Sequence, residues 1–197
     1  MEKQGLRNSY IVTLAKLFIF LIIFCFLPGI TTNFFGDLRQ SPGFKSFILY
    51  FSILTPFLFY TFVADLNEVY GRVQDFFFRH SFFSLIVPSI LIVLALGYFI
   101  IPKILGSSFN KDIFLFLGGV ISTVHLIFIA RRLKASTFSG FVHYLFIFSL
   151  LYTVSLFLFA IYLKVGFKLG LLKILSDSLR SGASLIESIL TQIVGRG

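Results

Sequence analysis

Apolar positions along this chain fall in long unbroken blocks, separated by short polar interruptions. Five blocks, 10–30, 44–64, 82–101, 113–130 and 141–163, each approach the ~20 residues a helix needs to cross a hydrocarbon layer of ~30 Å. Strands of a membrane barrel would instead alternate apolar and polar positions over ~10 residues. Backbone groups in lipid must be satisfied within the segment, so continuous apolar blocks predict helices. The expected fold is all-α: a polytopic integral membrane bundle of about five transmembrane helices over 1–164, followed by a C-terminal amphipathic helix over 165–197.

Punctuation at the block edges refines this picture. Pro28-Gly29 is expected to end the first helix, Ser41-Pro42 precedes the second, Pro102 follows the third, and Asp112 is placed to cap the fourth. Pro56 and Pro88 lie inside the second and third blocks and predict kinks or locally opened backbone, either tolerated or used as a hinge. Tyr10, Tyr60, Tyr98 and Tyr162 fall near block ends, where an amphipathic ring suits a membrane interface.

The tail follows a different rule. Leu172, Leu175, Leu179, Ile186, Leu190 and Ile193 recur at helical spacing, opposite Lys173, Asp177, Arg180, Ser184 and Glu187. Gly182 is the expected point for a break into two pieces. Such a helix docks on a membrane surface, on a partner, or back onto its own bundle.

Composition supports the membrane reading. Only 13% of the 197 residues are charged, against about 25% in soluble domains. The net charge of +9 comes from Lys and Arg scattered through short segments, which fits anionic lipid and topology control and not nucleic acid. Lys3, Arg7, Arg72, Arg79, Arg131, Arg132 and Lys134 outnumber Arg39, Lys45, Lys103 and Lys111 on the opposite side, which favours a cytoplasmic N-terminus. Lys164, Lys168, Lys173 and Arg180, after the last block, weigh the other way. The first block lacks a small-x-small cleavage pattern and is expected to stay as a span; the default location is a bacterial inner membrane.

Candidate chemistry is sparse. None of the five blocks contains Asp or Glu, which weighs against proton- or sodium-coupled transport and aspartyl intramembrane proteolysis. HExxH, P-loop and GxSxG patterns are missing from the sequence, and a single cysteine, Cys25, allows neither a disulfide within the chain nor a cysteine metal site. No catalytic residue, cofactor or metal is therefore assigned. Apart from Lys45 at the edge of the second block, the basic residues in the blocks are Lys16, His125 and His143, with His80 just before the third. With a cytoplasmic N-terminus they gather in one leaflet with Arg131, Arg132 and Lys134, a candidate basic pocket for an anionic lipid head group or acidic partner. The plainer reading is a snorkelling Lys16 and neutral histidines that bond neighbouring helices.

In the fourth block Gly118, Ser122 and His125 fall at i, i+4 and i+7, with Gly119 and Thr123 beside them. Small residues permit close approach, so this is the candidate helix-packing face. Ser149 and Thr153 are the candidate matching edge on the fifth block, across a loop at 131–140. The functional expectation is a non-enzymatic membrane subunit or assembly partner, with membrane lipids, other membrane subunits or further copies of itself as partners. The alternative is a small permease, channel or lipid-handling protein whose path Pro56, Pro88 and the Ser/Thr residues would line.

Overall fold

The computed structural model describes residues 2–63, 65–78, 81–106, 110–133 and 138–195, and the described residues form helices without strands. In chain order these are α1 (Glu2–Gln40), α2 (Ser46–Phe62), α3 (Leu66–Phe77), α4 (Ser81–Ile86), α5 (Ser89–Leu105), α6 (Lys111–Arg132), α7 (Phe138–Gly166) and α8 (Leu171–Val194).

The all-α fold of long apolar helices supports a membrane protein, but the number of spans is lower than five. Three helices are long and apolar enough to cross a membrane: Tyr10–Gln40, Lys111–Arg132 and Gly140–Gly166. The count reaches four if α2 and α3, which meet at 116° across a short break, form one broken span. The third block is where the expectation fails most clearly. Pro88 has no N–H to donate and disfavours helical backbone in the residue before it. The helix is accordingly interrupted at Val87 and Pro88, leaving the short α4 and a 17-residue α5. At 1.5 Å per residue α5 is only about 26 Å long. Pro56, by contrast, sits buried inside an unbroken α2.

Pro28 does not end the first helix. α1 continues for 39 residues with Pro28 in its interior. The Thr32 hydroxyl donates to the Pro28 carbonyl at 2.7 Å, the usual back-bond of a helical threonine, so the helical course continues past the proline. Gly29 keeps the next turn narrow enough for α8: a Cβ there would sit 3.0 Å from Ser181 Cβ. The extension brings Asn33 and Asp37 into the helix, so an acidic residue does lie within the longest apolar helix.

α6 occupies the middle of the bundle, packed against α2, α3, α5 and α7, while α1 packs on α7 and α8. At one end a core of Phe34, Leu38, Leu49, Phe114, Leu115 and Leu163 joins α1, α2, α6 and α7. A smaller core at the other end joins Tyr70 of α3 to Val124 and Phe128 of α6. α8 runs antiparallel to α1. The Gly170 N–H donates to Asp37 Oδ2 at 2.9 Å, the Ser178 hydroxyl, bonded to the Ile174 carbonyl, lies 3.3 Å from the Gly29 carbonyl, and Gly182 lies under the Phe26 ring. Gly182 therefore marks a close approach and not a break, and α8 is continuous.

Candidate functional site

The faces of α6 explain most of its polar and small residues. Gly118 lies under the Tyr162 ring of α7, and Gly119 against the Ser52 side chain of α2; a Cβ at either glycine would overlap those atoms. Tyr162 donates to the Phe114 carbonyl at 2.7 Å and stacks on the Phe114 ring at 4.1 Å. Its ring is buried against α6 and does not face outward from the bundle. Thr123 is buried and returns its hydroxyl to the Gly119 carbonyl at 2.9 Å. Capping also differs from expectation: Asn110 caps α6 by accepting from the Asp112 N–H at 2.8 Å, while Asp112 itself pairs with Lys45.

His125 is fully buried and faces α3. Its Nδ1 lies 3.0 Å from the Tyr70 hydroxyl, and Gln74 Nε2 donates to that hydroxyl oxygen at 2.6 Å. The Ser89 N–H, at the restart of the helix after Pro88, points to Gln74 Oε1 at 3.4 Å. Because the Tyr70 oxygen accepts from Gln74, its own proton is free to go to His125 Nδ1, which puts the ring proton of a neutral histidine on Nε2. The backbone of Leu85 and Ile86, at the end of α4, also lies near the ring, and Nε2 makes no hydrogen bond of ordinary geometry among the described residues. Four helices thus meet at one buried polar cluster.

α3 was not anticipated from the sequence, although the signal is present. Asp65 accepts from the Asn67 N–H at 2.9 Å as the N-cap, and Leu66, Tyr70, Val73 and Phe77 recur at i, i+4, i+7 and i+11. The polar residues between them keep the segment from forming a long apolar block.

The expected basic pocket separates into two groups. Lys16 donates to His143 Nδ1 at 3.1 Å, joining α1 to α7. Arg131 pairs with Asp65 at 2.5 Å and lies over the Tyr60 ring, while Arg132 sits 3.7 Å from Asp75 and over the Phe128 ring. The Asp65 carboxyl is held below the usual carboxylate range, first by the Asn67 N–H and then by Arg131. Both arginines thus already have acidic partners, which fasten α3 to the end of α6. His80 and Lys134 lie outside the described residues.

The stripe assigned to tail docking is left uncovered by the chain itself. Leu172, Leu175, Leu179 and Leu190 are exposed and Ile186 is half-buried; the Ile193 side chain lies outside what is described. Contact with α1 runs instead through the buried Ile174, Ser178 and Gly182. On α7, Ser149 and Thr153 spend their hydroxyls on their own backbone, donating to Leu145 and Ser149 carbonyls at 2.8 and 2.9 Å.

Between α2 and α7, over the surface of α6, lies a groove of about 500 Å³ whose walls include Phe35, Ile53, Phe57, Ser122, Tyr152 and Ser155. That volume is within the range of about 300–1,000 Å³ typical of small-molecule sites. Among the described residues no cluster of His, Cys, Asp and Glu side chains is arranged to hold a metal ion. No family model matches the chain, and it matches none of the curated proteins or solved structures with which it was compared.

Proposed function

We propose that this protein is a non-enzymatic subunit of a membrane assembly, joined to a partner polypeptide through the outer faces of α8. The observation that carries this reading is the course of α8. It runs back along α1 beside Gly29 and Phe26, within the apolar stretch of that helix, yet Arg180, Ser184 and Glu187 remain exposed on its surface. Charged side chains at that depth are costly in hydrocarbon unless protein or water meets them. The Leu172, Leu175, Leu179 and Leu190 stripe beside them is apolar and equally uncovered. A partner helix with complementary charges, from another subunit or a second copy, satisfies both faces at once. In this reading the membrane is a bacterial inner membrane; the loop-charge tally that favours a cytoplasmic N-terminus counts five spans, and with three or four the sides of several of those cations change.

The test is photocrosslinking of the full chain in native membranes. Crosslinkers at Leu179 and Ser184 should capture a discrete polypeptide, while one at the exposed Phe99 of α5 should label lipid. Lipid adducts alone at both α8 positions would defeat the proposal.

A further inference from the structure

Hydroxyls on apolar helices ordinarily turn back onto the carbonyl one turn earlier. Thr123, Ser149, Thr153 and Ser178 all do so here. Ser122 and Ser155 depart from this pattern. Both hydroxyl oxygens are buried without a hydrogen-bond partner among the described residues, and both residues line the groove over α6. Ser155 is only 5% exposed. An unpaired hydroxyl in apolar surroundings carries a free-energy cost that a bound polar group would remove. Two such hydroxyls, one from α6 and one from α7, share a single cavity.

The position of Ser122 restricts what could bind. It lies near the midpoint of α6, which runs Lys111–Arg132, so it is about 15 Å from either end. In a hydrocarbon layer of ~30 Å that is close to the midplane, where a charged head group would be strongly disfavoured. The other hydroxyls on the walls have partners, Thr123 with the Gly119 carbonyl and Tyr152 with Thr31, and the rest is aromatic and aliphatic, with Phe57 of α2 half exposed. α2 and α7 both pack on α6, and the space between them opens to the outside of the bundle.

We propose that this groove binds a neutral long-chain lipid bearing one hydroxyl or carbonyl group. The hydrocarbon lies along the Phe35, Ile53 and Phe57 walls, and the polar group meets Ser122 and Ser155. A carbonyl oxygen accepts from both serines; a hydroxyl accepts from one and donates to the other. This site is independent of the α8 surface and does not rest on the subunit reading.

The full-length protein in phospholipid nanodiscs is treated with a long-chain alcohol carrying a diazirine. Peptide mapping should place the adducts on the α6 and α7 segments that wall the groove. Unlabelled alcohol should compete about five- to tenfold better than the alkane of equal length, the range expected of a hydrogen bond. The double variant Ser122→Ala/Ser155→Ala retains the apolar volume, so it should keep the adducts and lose the preference for the alcohol. Ala130→Phe, which fills the groove, should lose the adducts; if that variant does not fold, the double alanine variant decides. Adducts spread over the exposed phenylalanines of α1 and α5, an unchanged preference in the double variant, or capture of a polypeptide by the groove would each overturn the proposal.

Discussion

α6 and α8 are of similar length, 22 and 24 residues, and both place glycine where another helix comes close. They differ in what covers the rest of the helix. α6 has neighbours on several sides, its glycines lie under Tyr162 and Ser52, and its histidine is tied to α3. α8 is held mainly by α1 and leaves both its leucine stripe and its charged face open. A small residue therefore marks close approach in both helices, but only in α6 does that approach belong to the centre of the fold. Damage to α6 should spread through the bundle, and damage to α8 should stay local.

The strongest break in this contrast is Gly118→Leu. The added side chain collides with the Tyr162 ring and displaces its bond to the Phe114 carbonyl. Overpacking of this kind costs about 1–3 kcal/mol, and the lost hydrogen bond adds to it. The melting temperature in detergent should fall clearly, whereas Phe116→Leu, at a half-buried position, should lower it less. Equal melting of the two variants would mean that α6 is not the organising helix.

Gly182→Leu should come next and act on α8 alone, because its side chain runs into Phe26. Asn33→Cys and Ser181→Cys, at positions whose polar atoms are 3.4 Å apart, report on this contact in a Cys25→Ser background. Disulfide yield should drop about tenfold with Gly182→Leu, while the melting temperature of the rest changes little. A global loss of stability would remove the distinction between the two helices.

Tyr70→Phe sharpens the account of α6. It leaves His125 Nδ1 and Gln74 Nε2 without their shared partner, a cost of about 1–3 kcal/mol. Hydrogen exchange in α3 should accelerate well before that in α7. Uniform acceleration, or none, would show that the cluster does not hold α3. The smallest effect is expected from Arg72→Gln, which removes an exposed pair with Glu68 and should leave stability unchanged within error.

Helix content, the membrane character and the packing role of Gly118 and Gly119 could all be read from residue spacing, because each depends on local composition or on side-chain size. The span count could not. Hydropathy alone treats 82–101 as one block, but Pro88 divides it; it also reads Pro28-Gly29 as a stop, although the helix continues where Gly29 meets α8. α3 was missed because its apolar stripe is too narrow to stand out beside the long blocks.

The sequence by itself pointed to an apolar environment through its long hydrophobic runs and few charges, and in such an environment continuous apolar segments satisfy their backbone as helices. Only the tertiary structure decided the partners: His125 with Tyr70, Lys16 with His143, Asp37 with the Gly170 N–H, and Ser122 and Ser155 lining one cavity. Those pairings join residues on different helices, separated by dozens of positions or more than a hundred. Local periodicity sets which face a residue shares, whereas the neighbour opposite that face is set by how the helices cross.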